Sequence, residues 1–390
     1  MKRQIDLMRI ASHWQSLLAG LLAAVATTRL PLTVEVPVAD AATSVTSGAI
    51  IAVVLLATAL IAALAPAGST DGRSGWWRAA LLFIGAHFAA GLLLGGLAGN
   101  EGKMSAAFFL LMASSWLLAW ASVSELSRLK PRLPALRSLL RLLIPAIFGA
   151  WILILWEAVT RGFGVPFILL PPPSAIGLRI AGSLAILWAD VQQTIFKAVL
   201  AGYLIGSISG FLTAILADRV DFLRRGLMPI GNLMSALPII GVAPIMVMWF
   251  GFDWQSKAAV VTIMTFFPML VNTVAGLAAT GSMERDLMRT YASDYRQTLV
   301  KLRLPAAMPF IFNALKINST LALIGAIVAE FFGTPIVGMG FRISTEIGRM
   351  NVDMVWAEIA VAAVAGSLFY GIVALIERAT TFWHPSSRGG

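Results

Sequence analysis

Long apolar runs separated by short polar breaks organise this chain. A helix crossing a hydrocarbon core of about 30 Å needs about 20 mostly apolar residues. Six runs of that kind lie in the C-terminal part, at 139–160, 194–217, 229–250, 258–280, 308–332 and 355–377. Three more lie upstream, at 48–66, 79–99 and 105–123, and a weaker one at 16–34 is interrupted by Arg29 and Pro31. The weak run has two readings. It is an uncleaved span, or a signal peptide whose basic start is Lys2, Arg3 and Arg9. No small-residue cleavage site follows it directly, which favours the span. The pattern therefore predicts an all-α, polytopic membrane protein.

Composition agrees. The chain is 58% hydrophobic and 12% charged, where soluble domains carry about 25% charged residues. So few charges cannot cover a surface in water. With no cysteine there is no disulfide or thiolate metal site, and His13, His87 and His384 are too scattered for a metal site. The net charge of +10 reads as basic cytoplasmic loops rather than nucleic-acid binding. With ten spans and the N-terminus inside, twenty of the 29 Lys and Arg residues fall in cytoplasmic segments. Only Lys103, Arg161, Arg179, Lys257, Arg342 and Arg349 fall outside. Both termini are thus expected in the cytoplasm. The polar stretch 124–138, with Pro131 and Pro134 among basic residues, reads as a cytoplasmic linker. It separates a four-span N-terminal part (1–123) from a six-span core (139–380), which a short cytoplasmic tail (381–390) follows.

One inside loop, 281–307, is longer than the rest. Its charged residues alternate with Leu287, Met288, Tyr291, Leu299, Val300 and Leu302 at spacings that suit an amphipathic helix. Leu304-Pro305 is expected to end that helix, because proline lacks a donor and disfavours helix at the residue before it. Such a helix can lie on the membrane or dock in a partner's groove. The loop resembles the EAA loop of binding-protein-dependent importer permeases: EAA, three residues, Gly, nine residues, Ile, one residue, Leu-Pro. Counting back from Leu304-Pro305 puts EAA at Asp286, Leu287 and Met288, the glycine at Ala292 and the isoleucine at Leu302. The two alanines and the glycine are thus replaced.

Other segments resemble the branch of these permeases that imports sulfonates, taurine and nitrate. They are Leu170-Pro171-Pro172-Pro173-Ser174, the series Pro229, Leu237-Pro238, Pro244 and Trp249-Phe250-Gly251, and Glu330 followed by Gly338-Met339-Gly340. The resemblance implies a six-helix importer-permease core preceded by about four extra helices, in a bacterial inner membrane. It implies a second permease copy, two ATP-binding-cassette ATPase subunits holding the loop around Asp286–Leu304, and an extracytoplasmic solute-binding protein. ATP and Mg would be bound by the partner ATPase. This chain has no phosphate loop, since Gly102-Lys103 lacks the upstream glycine. Permeases for pyrimidine-type vitamin precursors and flavins look alike, so those solutes are equally allowed.

Polar residues within spans complete the expectations. Burying charge in lipid is costly, so such residues usually face the bundle interior or a wet cavity. Glu330 is the candidate for the outer gate or docking surface. Asn232 and Asn272 line the pathway or bridge helices. Pro238 and Pro244 are expected to kink the third core span, placing it beside the pathway. Gly202, Gly206 and Gly210 make a smooth face for packing within the subunit or between two. A stand-alone secondary transporter or channel is the alternative, but it calls for midplane charges and inverted repeats that the sequence does not display.

Overall fold

The computed structural model describes residues 2–34, 38–64, 73–131, 133–234, 238–333 and 336–383, with side chains except at 2–13, 38–42, 73–74 and 232. Among the described residues every extended element is a helix, and Thr33 and Met104 form an isolated antiparallel bridge. Inside hydrocarbon a backbone must satisfy its own hydrogen bonds, and a helix does so locally. Eight helices are long and apolar enough to cross a membrane. Of the other two expected runs, 16–34 falls on a helix that spans Lys2–Thr27, and the described part of 229–250 falls on two shorter helices.

Packing divides the chain into two compact units, residues 1–175 and 176–390. The first contains α1 (Lys2–Thr27), α2 (Val38–Leu64), α3 (Arg73–Gly95), α4 (Ala106–Arg128) and α5 (Pro134–Gly162). Small residues let these helices approach closely: Ala19, Ala23 and Ala26 recur along one face of α1 and are all buried. Hydroxyls bridge neighbours, Ser114 to the Ala19 carbonyl at 2.8 Å and Ser122 to the Ala79 carbonyl at 2.9 Å. Arg78, assigned to a loop by the charge pattern, is buried on α3 with Glu125 at 3.7 Å.

By packing, α5 belongs with this bundle, whereas the sequence grouped it with the core. Trp151 on α5 donates to His87 on α3 at 3.1 Å. At the other end Arg161 pairs with Glu101 at 2.9 Å and with Glu157 at 3.1 Å. Glu157 also accepts from the backbone and hydroxyl of Ser174, at 2.9 and 2.7 Å. Arg161 holds the Glu101 carboxyl below its ordinary range.

The second unit holds the remaining helices, with α6 (Pro173–Gly182) crossing the division. Helix α7 (Leu184–Val191) passes through a π-helical turn (Gln192–Val199) into α8 (Leu200–Arg219). The third core span is two helices rather than one. They are α9 (Asp221–Met234) and α10 (Ile239–Phe250). Pro238 caps α10 with an extended backbone and has no donor to continue a helix. Pro244 lies inside α10.

Next come α11 (Trp254–Ala278), α12 (Ser282–Thr290) and α13 (Tyr295–Thr298). A second π turn (Leu299–Arg303) carries α13 directly into α14 (Leu304–Glu330). Helices α15 (Met339–Gly348) and α16 (Val352–Thr380) close the unit. The spans 184–219 and 295–330 each contain 36 residues, or about 54 Å of helix, so both outrun a hydrocarbon core of about 30 Å.

Helix α11 is the axis of this unit, and α8 and α14 flank it. Gly202, Gly206 and Gly210 face α11. A Cβ at Gly202 would lie 2.5 Å from the Val261 Cβ, and one at Gly210 would lie 2.5 Å from the Phe266 carbonyl. Asn318 on α14 is fully buried and donates to Ser207 on α8 at 3.1 Å and to the Thr265 carbonyl on α11 at 2.8 Å. Lys316 pairs with Glu377 of α16 at 2.7 Å. Neither residue reaches outward alone.

Gly206 offers a test of this packing. An added Cβ would overlap the Thr265 hydroxyl and come within 2.6 Å of the Thr262 carbonyl, which is backbone and cannot turn aside. Gly206→Ala is expected to cost about 1–3 kcal/mol, read as a lowered Tm of the purified protein. Gly371→Ala, where nothing lies within 4 Å, is the matched control and should leave Tm unchanged or slightly raised.

Candidate functional site: the coupling segment and its two polar ties

The expected single loop helix is two helices joined by an elbow. In α12 no residue is buried, and Met283, Leu287 and Tyr291 are 82%, 56% and 77% exposed. These three recur every four residues, so they form one apolar ridge. Asp286 pairs with Arg289 on the same short helix at 3.3 Å, and Met288 is half-buried.

The elbow has a definite chemistry. Ser293 N–H donates to the Met288 carbonyl at 3.0 Å and Ala292 N–H to the Arg289 carbonyl at 2.9 Å. This is the bonding of a Schellman motif, which places the residue after the cap in the left-handed region. Ala292 occupies that position with φ of +51°. The glycine of the family pattern therefore coincides with a backbone position that favours glycine. Asp294 then starts the next helix with a capping box, accepting from Gln297 N–H at 2.6 Å while the Gln297 side chain accepts from Asp294 N–H at 3.3 Å.

Leu304-Pro305 does not end the helix, contrary to the sequence expectation. The π turn at 299–303 directly precedes it, and the helix runs on through Pro305 into α14. Leu302, Leu304 and Pro305 are half-buried on the continuous helix.

A polar tie where α8 ends was not among the expected site residues. Asp218, in the last turn of α8, receives Arg303 through both guanidinium branches at 2.7 and 2.6 Å. Tyr295 donates its hydroxyl to the same carboxylate at 3.0 Å. The Arg303 Nε donates to the Leu277 carbonyl on α11 at 3.0 Å. Asp218 and Arg303 lie 85 positions apart, so no local pattern could have paired them.

The second tie is buried near the far end of α14. Glu330 is 2% exposed. It accepts from the Thr194 hydroxyl at 2.8 Å and from Gly340 N–H at 2.7 Å. Met339 N–H donates to Thr194, and Gly338 N–H to Asp190, at 2.8 and 2.6 Å. Arg342 completes the set with Asp190 at 2.9 Å. The free N–H groups at the start of α15 thus meet anionic and hydroxyl oxygens, as a helix N-terminus favours. A Cβ at Gly338 or Gly340 would collide with Glu330, which explains the Gly-Met-Gly sequence. Glu330 therefore holds the start of α15 in place. Lys257, counted as an outside loop residue, is buried on α11 and donates to the Phe252 carbonyl at 2.6 Å.

The remaining pathway candidates gather around α9–α11. Asn272 donates to the Pro268 carbonyl at 2.8 Å and accepts from Asn313 of α14 at 3.4 Å, so it bridges helices. The side chain of Asn232 lies outside the described residues. An apolar cavity of about 170 Å³ opens beside the broken third span, lined by Met234, Ile239, Val242, Met264, Phe267 and Leu321 among others.

Comparison with known proteins gives this arrangement its context. Residues 202–382 match the family described as "Binding-protein-dependent transport system inner membrane component". A "Probable ABC transporter permease protein" of Haemophilus influenzae is 30% identical over 240 residues, covering 61% of this chain and 97% of the relative. The formylaminopyrimidine transport permease protein ThiX of Halalkalibacterium halodurans is 29% identical over 239 residues, 61% of this chain and 95% of its own. The putative aliphatic sulfonates transport permease protein SsuC of Bacillus subtilis is 30% identical over 254 residues, 64% of this chain and 88% of its own. An all-helical, membrane-spanning chain that accounts for nearly the full length of such relatives belongs to the binding-protein-dependent transport system inner membrane components, and is a permease subunit of an ATP-binding-cassette importer.

Proposed function

We propose that this permease imports a small solute by docking helix α12 into a groove on a separate ATPase, which binds ATP and Mg. The observation that carries this reading is α12, in which no residue is buried, with its exposed ridge of Met283, Leu287 and Tyr291. A nine-residue helix that buries nothing gains little within its own chain, since short isolated helices are marginal in water. A partner groove for one face supplies what the chain does not.

The rest of the arrangement follows from the family. Two permease copies enclose the pathway, two ATPase subunits sit beneath it, and a binding protein delivers solute from outside. The basic segments, including the linker at 124–138 and the 281–307 loop, lie in the cytoplasm with both termini, because Lys and Arg collect on that side. The four-span extension at 1–123 precedes a core at 139–380. The substrate belongs to the class of small polar or heteroaromatic solutes. The relatives' names span aliphatic sulfonates, taurine, bicarbonate, formylaminopyrimidine and riboflavin.

The reading makes two measurable statements. The purified chain alone hydrolyses no ATP, and co-expression yields a complex with an ATPase. Leu287→Asp weakens that complex about 30-fold, the loss expected when a central apolar anchor is removed from an interface. Retention of the ATPase at wild-type affinity sinks the α12 assignment. At the elbow, Ala292→Gly relieves about 1 kcal/mol of left-handed strain. Slower hydrogen exchange at residues 288–294 reports it, whereas a bulky Ala292→Glu detaches the ATPase.

A further inference from the structure

The Asp218–Arg303–Tyr295 cluster has a geometry that general stability does not require. Asp218 stands in the last turn of α8, where unsatisfied carbonyls already carry partial negative charge. An acid there is misplaced unless a cation is supplied, and its side chain is only 5% exposed. Arg303 supplies the cation through a two-branched fork, which a lysine cannot reproduce. Its third donor reaches the Leu277 carbonyl, in the last turn of α11. One guanidinium thus joins the ends of two spans to the start of a third.

The π turn explains how Tyr295 and Arg303 reach one carboxylate together. At 3.6 residues per turn, residues eight apart point about 80° away from each other. A π turn absorbs one extra residue. The pair then behaves as if seven apart, which brings the two side chains to within about 20° of one face. The turn between them interrupts the regular i→i+4 ladder of this helix, and such interruptions are places where helices kink.

We infer that Arg303 is a positioning residue for coupling: clamped to Asp218 and Leu277, it bridges the π turn so that force on α12 moves the inner ends of α8 and α11 instead of bending the helix at 299–303. The clamp rests on the reading of α12 as the ATPase contact. Without it the π turn yields, the ATPase still docks and hydrolyses, and the spans stay still.

The absence of native cysteine makes the test direct. Spin labels are placed by Arg285→Cys, on the face of α12 away from the apolar ridge, and by Leu216→Cys on α8, both exposed. The complex with its ATPase is diluted with unlabelled permease, and the label separation is measured by double electron–electron resonance with and without ATP and vanadate. In the otherwise unsubstituted chain the separation holds constant, because α12 and α8 move together. In Arg303→Lys and Asp218→Asn the ATPase remains bound and active, while the separation shifts with nucleotide by about 5 Å. The swapped pair Asp218→Arg with Arg303→Asp restores a constant separation, which a loss of general stability does not predict. Should Arg303→Lys fail to assemble, Tyr295→Phe removes only the 3.0 Å hydroxyl bond and gives a smaller shift of the same kind. A constant separation in the single variants, with ATPase bound, overturns the clamp. Failure of the unsubstituted chain to hold an ATPase overturns the docking reading beneath it.

Discussion

Inside a bilayer no water arrives to satisfy a polar group, and the architecture of both units answers that constraint. Helices settle the backbone. Side-chain hydroxyls and amides then turn to carbonyls on their own or a neighbouring helix, as Ser114, Ser122 and Asn318 do. Polar groups therefore act as links between helices as well as sources of cost. The glycine face of α8 belongs to the same solution. Close approach to α11 brings Thr262 and Thr265 within 3.4 Å of the Gly202 carbonyl.

The strongest links sit where α8 and α14 end. At one end, Asp218 binds Arg303 and Tyr295. Towards the other end, Thr194 and Asp190 bind Glu330 and the start of α15. Each tie includes a residue from a π turn, Arg303 in 299–303 and Thr194 in 192–199. A π turn shifts the face a side chain occupies without breaking the helix. Both long helices use that shift where a charged partner must be met. Between the ties they pack through glycine, alanine and hydroxyl contacts, which resist bending but carry no charge. Such a pair is suited to move as rods whose ends are anchored.

How much of this was legible depended on range. Apolar runs reveal helices because hydrophobic length is a local property, and eight of the ten expected runs are helices of spanning length. The glycines at 202, 206 and 210 were visible as a stripe, although only the structure names α11 as their neighbour. The third core span was legible in part, since Pro238 was expected to kink it and α10 starts at that proline as a helix separate from α9. Pro305 misled. A proline after a polar loop reads as a stop, but here it follows a π turn and the helix continues through it. The ties were illegible because they join residues 85, 136 and 148 positions apart. Arg303 looked like one basic loop residue among several, and Asp190 gave no local signal.

Ala292 shows how a departure from a family pattern can still carry information. The pattern has glycine there, and the backbone explains why, since φ of +51° suits a residue without Cβ. Alanine in that conformation costs about 1–2 kcal/mol. Nothing within the chain offsets this through packing, because Ala292 is exposed and its neighbours Tyr291 and Asp294 are exposed as well. The turn is held instead by the Schellman bonds on one side and the Asp294 capping box on the other. Backbone bonding alone thus sets the elbow angle, and the Cβ is free to meet whatever docks against α12. The substitution alters the surface offered to a partner and leaves the path of the chain unchanged.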